Sequence, residues 1–166
     1  MMTARTRPRP YRLVAPVATP GGFADLAGAG RLREMFVRAF FGFLVAFLVV
    51  DALWIALVLM PYYEETLGDL LQDSPNMAIA AVFYLAYAAG VVFLAVRPAW
   101  ASGSVRTAIL NGAVVGALCY GTYTITNNIL FARWTPGLVI SDIGWGIFVT
   151  ALCAACGYLV SKPKST

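Results

Sequence analysis

Residues 35–60 read MFVRAFFGFLVAFLVVDALWIALVLM, a run in which Arg38 and Asp51 are the only charged side chains. At about 1.5 Å per residue such a run exceeds the ~30 Å hydrocarbon core of a bilayer, so it predicts a tilted transmembrane helix. It is expected to stop at Pro61, where Pro61-Tyr62-Tyr63 supplies the aromatic anchors of a membrane interface. Stretches of the same kind follow over 76–96, 106–131 and 137–160. The second is entered through Asp73-Ser74-Pro75, with Ser74 placed to cap the helix and Pro75 to open its first turn, and it ends before Arg97-Pro98.

Composition agrees with that reading. The chain is 60% hydrophobic and 12% charged, with a mean hydropathy of +0.76, whereas soluble chains are about 25% charged. An ordinary soluble domain is excluded, and the fold class is all-α, a polytopic four-transmembrane-helix bundle over residues 35–160. Residues 1–34 hold six Arg, several Pro and a Gly-Gly pair without sustained periodicity, so they are expected to form a disordered basic tail. Leu13 to Ala18, broken by Pro16, is too weak for the apolar core of a secretory signal; an organellar transit peptide is the lesser alternative for this Arg-rich start. Residues 161–166 form a short second tail.

The charges orient the bundle. Seven Arg up to Arg38, then Arg97, Arg106, Lys162 and Lys164, fall on one side of the predicted spans. The loop between the first two spans has Glu64, Glu65, Asp69 and Asp73 with no basic residue, and the last loop has only Arg133. The positive-inside rule therefore predicts both termini in the cytoplasm. The basic tail then serves topology and anionic headgroups rather than nucleic acid.

Chemistry is limited by what is missing. With no His there is no imidazole base, no Ser-His-Asp system and no His-ligated metal or haem, and no cofactor is predicted. Cys153-Ala-Ala-Cys156 lies inside an apolar run without the strand-to-helix context of a redox motif, so its cysteines read as small packing residues. Gly112 and Gly116 form a G-x-x-x-G, Ala86 and Gly90 a related pair, and Gly144, Gly146 and Gly157 mark the last span, which predicts close helix contacts. Leu67, Leu70 and Leu71 give the Tyr62–Asp73 loop helical spacing, predicting a short acidic helix on the outer face.

Two acids do not belong in lipid. Asp51 is followed three residues later by Trp54, and Asp142 by Trp145, a spacing that sets each Trp beside its own Asp on one helix face. An ionised carboxylate at mid-membrane costs about 2.5 to 3.5 kcal/mol even on the lenient insertion scale, so neither should face acyl chains. With the assigned orientation Asp51 lies roughly 15 Å and Asp142 roughly 8 Å below the same outer surface. Tyr120, Tyr123, Thr124 and Asn127 make a polar stripe on the third span, and Tyr84 and Tyr87 add hydroxyls on the second. These ten side chains predict a polar cavity in the outer half that opens, or is able to open, outward. The competing reading is structural: protonated or hydrogen-bonded acids joining helices, each bond contributing roughly 0.6 to 2 kcal/mol.

The motifs Asp51-Ala-Leu-Trp54, Ser74-Pro-Asn76, Phe83-Tyr-Leu-Ala-Tyr87 with Gly90, Tyr120-Gly-Thr-Tyr123 with Thr126-Asn127, and Asp142-Ile-Gly-Trp-Gly146 resemble a bacterial inner-membrane family known only as domain of unknown function 2177. The resemblance covers about Phe36 to Val160 and implies a four-helix integral membrane protein without implying an activity. The family pattern has an Asp where this chain has Thr124, so any role that needed three acids is in doubt. Three functions remain open: binding or transport of a small cationic, amphipathic or lipid-like ligand, a lipid- or isoprenoid-modifying membrane enzyme, and an accessory subunit of a homo-oligomer or larger membrane complex. The first is the leading expectation, with Asp51 and Asp142 supplying charge or exchanging protons and Trp54 and Trp145 supplying aromatic faces.

Overall fold

The computed structural model describes residues 22–162, with side chains from residue 28 onward. The arginines from Arg5 to Arg12 and Lys164 lie outside the described residues. Helix α1 spans Gly22–Trp54 and runs through a π-helical turn, Ile55–Leu59, into α2, Met60–Leu67, and a 3-10 turn, Gly68–Leu70. Helix α3, Met77–Val91, likewise passes through a π-helical turn, Val92–Val96, into α4, Arg97–Ser102. The remaining helices, α5 (Val105–Leu130) and α6 (Pro136–Ser161), are unbroken. Four helical rods are long and apolar enough to cross a membrane: Gly28–Leu70, Met77–Ser102, Val105–Leu130 and Pro136–Ser161.

Several sequence expectations about boundaries are corrected. Helix α1 begins at Gly22, so residues 22–34 are helical rather than irregular. The reason is compositional: after Pro20 there is no further proline, and the Ala, Leu, Arg and Glu of this segment carry the helix through Gly28 and Gly30. Pro61 and Pro98 do not end their helices. In a regular α-helix each ring would collide with the carbonyl four residues back and leave it without a donor. Here the amide of Met60 reaches back to Ile55 O, and that of Arg97 to Val92 O, so a five-residue turn precedes each proline and opens the ladder where its ring must fit. Helix α3 is capped by Asn76, whose side chain accepts from Ile79 N at 3.2 Å, rather than by Ser74. Helix α6 is capped by Thr135, which accepts from Leu138 N, with Pro136 in the first turn.

Small residues set which rods touch. A Cβ on Gly116 would run into the Gly146 carbonyl, and one on Gly112 would lie 2.9 Å from Ala154 Cβ and 3.0 Å from Thr150 O. The G-x-x-x-G of α5 is therefore the seat of α6. A Cβ on Gly157 would come 2.9 Å from Ala39 O, so α6 also packs closely on α1. The Ala86–Gly90 pair and Gly144 are not contact points: Ala86 is exposed, and nothing lies within 4 Å of a Cβ on Gly90 or Gly144.

The core fills one half of the bundle, with Phe43, Phe47, Val91, Val92, Val96, Val149 and Cys153 buried together. Helix α3 buries only Ala88 and Val91, so the second rod is packed through its π-helical turn and stands away from the bundle at its beginning. Trp100 Nε1 donates to Ser161 Oγ at 2.9 Å at the basic end. At the acidic end Leu67, Trp134 and Leu138 form a second cluster, and Arg133 ties the two loops together by donating to Leu67 O at 3.1 Å and Asp69 Oδ1 at 2.6 Å.

Candidate functional site

Between the splayed start of α3 and the rest of the bundle lies a cleft of about 1140 Å³. Its floor comes from α1 and α6, which carry Asp51, Trp54, Asp142 and Trp145. One wall is α3, with Ile79, Phe83, Tyr84 and Tyr87; the other is α5, with Leu118, Tyr120 and Tyr123. Both acids are buried, Asp51 at 6% and Asp142 at 4% exposure, and both border the same space. The two-acid chamber expected from the sequence is thus formed from four spans.

Its internal bonding differs from the expectation that each Trp serves its own Asp. The acid-indole pairing crosses between helices: Trp145 Nε1 donates to Asp51 Oδ1 at 2.9 Å, and Tyr84 OH donates to Asp51 Oδ2 at 3.4 Å. The indoles of Trp54 and Trp145 stack, with centroids 4.2 Å apart and planes 6° from parallel. Because α1 and α6 run in opposite directions, their D-x-x-W segments face one another head to tail. Only half of the reciprocal pairing is made. Trp54 Nε1 and Asp142 Oδ2 are buried without a hydrogen-bond partner in the protein, although buried polar groups are ordinarily paired.

Eight of the ten predicted residues border the cleft: Asp51, Trp54, Tyr84, Tyr87, Tyr120, Tyr123, Asp142 and Trp145. Thr124 does not. It is fully buried behind the cleft, where its hydroxyl accepts Trp134 Nε1 at 2.9 Å and lies beside the Asp142 carboxyl. Asn127 is half-buried beside Tyr123 and off the cleft. The chamber is also less polar than expected, because its hydroxyls are spent on one another: Tyr87 OH pairs with Thr150 Oγ1 at 2.7 Å, and Tyr63 OH with Tyr123 OH at 3.5 Å.

The opening has a side that the sequence did not suggest. Across the acidic end Tyr63 and Tyr123 each pack on Trp134 at 5.5 Å, whereas the lining residues Ile79, Phe83 and Leu118 are 68%, 58% and 65% exposed on the flanks of α3 and α5. The cleft is therefore open along its side, between the second and third spans, and its exposed lining residues Asn76 and Tyr123 leave it open toward the acidic end as well. Sequence reading missed Tyr63, taken for an interface anchor, and the apolar walls Phe83 and Leu118, which carry no signal apart from that of any lipid-facing helix. Among the described residues no cluster of three or more His, Cys, Asp or Glu stands together as a metal site.

A family model described as predicted membrane protein (DUF2177) matches residues 36–159. No curated protein and no solved structure matches the chain.

Proposed function

The chain belongs to the DUF2177 family of membrane proteins, and from that premise we propose that it binds an amphipathic, lipid-like ligand in the cleft between its spans. The observation that carries this reading is a cleft whose walls are apolar and face the acyl chains, while its floor holds two buried carboxyls and a stacked pair of indoles. A hydrocarbon chain suits the apolar walls by van der Waals packing, because transfer from surrounding lipid carries no hydrophobic gain, and a small polar head meets the floor. Intramembrane acids facing a cavity mark ligand or proton pathways. The lateral opening supports a ligand drawn from the bilayer rather than from water. We further assign the end bearing Arg31, Arg33, Arg38, Arg97, Arg106 and Lys162 to the cytoplasmic side of a bacterial inner membrane, next to anionic headgroups.

A lipid bearing a photoreactive diazirine in its acyl chain tests the reading. Irradiation of the protein in membranes is expected to label Tyr84, Tyr87 or Tyr120 on the cleft walls. Ala80→Trp, which fills the space beside them from α3, is expected to reduce that labelling several-fold while the protein stays folded. Equal labelling with the cleft filled, or labelling confined to the outer flanks of the helices, would remove the basis for a ligand site.

A further inference from the structure

The floor of the cleft distinguishes between kinds of polar head. Asp51 is already engaged by Trp145 and Tyr84, so the groups left over are one N–H donor, Trp54 Nε1, and one carboxyl oxygen, Asp142 Oδ2. They belong to the half of the reciprocal acid-indole arrangement that the protein does not close. Leaving a buried donor and acceptor without partners costs the desolvation of each, so the site gains most from a ligand that satisfies both. Accepting the lipid-binding reading above, we propose that the cleft takes a neutral, hydroxyl-bearing lipid, such as a monoacylglycerol or a long-chain alcohol, whose hydroxyl oxygen accepts from Trp54 and whose hydrogen is donated to Asp142.

The alternatives fail on the same two atoms. An ammonium head has donors only; it would meet a carboxylate but leave the indole N–H facing a cation. A carboxylate or phosphate head would accept from Trp54, but none of the lining residues is Lys or Arg, and two aspartates would stand against it. Of the ammonium, anionic and hydroxyl heads, the hydroxyl is the one that both donates and accepts. It also pairs with Asp142 in either protonation state, because a protonated carboxyl still offers an acceptor oxygen. The stacked indoles remain in place as an apolar shelf beside the head.

Three probes that share an oleyl chain, monoolein, oleylamine and oleate, separate these cases when each is titrated by native mass spectrometry against the full-length protein in detergent. Monoolein is expected to bind most tightly, with at least about a tenfold advantage, the ratio worth one good buried hydrogen bond. Trp54→Phe keeps the ring and the stacking but removes the donor, and it is expected to abolish that advantage while leaving oleylamine binding unchanged. A site that prefers oleylamine or oleate overturns the hydroxyl assignment and leaves lipid binding intact. A site that binds none of the three overturns both. A monoolein preference that survives Trp54→Phe overturns the bridging geometry, and the wild-type ranking holds as a test even where the variant fails to fold.

Discussion

Trp54 and Trp145 carry the same indole on nearly parallel planes, but only Trp145 has an acceptor for its N–H. The difference predicts opposite outcomes for the same substitution. Trp145→Phe removes the shorter hydrogen bond from a carboxyl that is 6% exposed, leaving Tyr84 at 3.4 Å as its remaining donor. The expected loss is about 1 to 3 kcal/mol. Trp54→Phe deletes an unsatisfied donor and preserves the stacked rings, so its stability is expected to match or exceed that of the wild type. Reversible unfolding in mixed detergent, with each variant measured against wild type, checks the contrast; equal losses in the two would mean that the N–H to Asp51 adds nothing to stability at this place. The sequence displayed the two D-x-x-W motifs plainly but not the cross-pairing, because spacing fixes which residues share a helix face and says nothing about which neighbouring helix receives the N–H.

At the scale of helices, glycine position separates contact from ornament. Gly116 faces the Gly146 carbonyl across α5 and α6, and a backbone group has no rotamer through which to yield. Gly116→Ala is expected to force the two helices apart and cost about 1 to 3 kcal/mol, as other overpacking substitutions do. Gly144→Ala, with nothing within 4 Å of the new methyl, is expected to be neutral or slightly stabilising. The same unfolding assay ranks them, and a Gly116→Ala protein as stable as wild type would show that this interface adjusts freely. The G-x-x-x-G was legible because it is a local pattern. The course of the first rod was not, and its π-helical turn is the reason. Counting helically from Asp51 along a regular helix puts Val58 and Tyr62 on the acid's face; the turn Ile55–Leu59 adds one residue, so the residues that border the cleft are Leu59 and Tyr63. Tyr62 is turned instead to Thr135, 3.1 Å away. Reading Pro61 as a stop therefore hid both the continuation of the helix and the tyrosine that it delivers to the site.

At the scale of the molecule, the four rods divide the charges between two ends, and that division decides which leaflet supplies the cleft. Glu64, Glu65, Asp69 and Asp73 occupy the end where Arg133 bonds to Asp69 and to Leu67 O. Arg97, Arg106 and Lys162 lie at the opposite end, where Trp100 is bonded to Ser161. The count of Lys and Arg in short loops governs insertion far more than the acids do, and the orientation proposed above puts the basic end inside. The cleft borders Tyr63 and Asn76, which are near the acidic end, and so in that proposed orientation it faces the outer leaflet. Fusing alkaline phosphatase, which is active only after export, into the first loop at Gln72 is expected to give high activity, whereas fusion at Gly103, in the loop between α4 and α5, is expected to give none. A fluorescent-protein fusion, which matures only in the cytoplasm, should report the inverse at both positions. The reversed pattern would move the cleft to the inner leaflet and change the lipids available to it without altering the chemistry of its floor; activity at both positions would mean that the chain inserts in two orientations, and the single-sided cleft argued here would be lost.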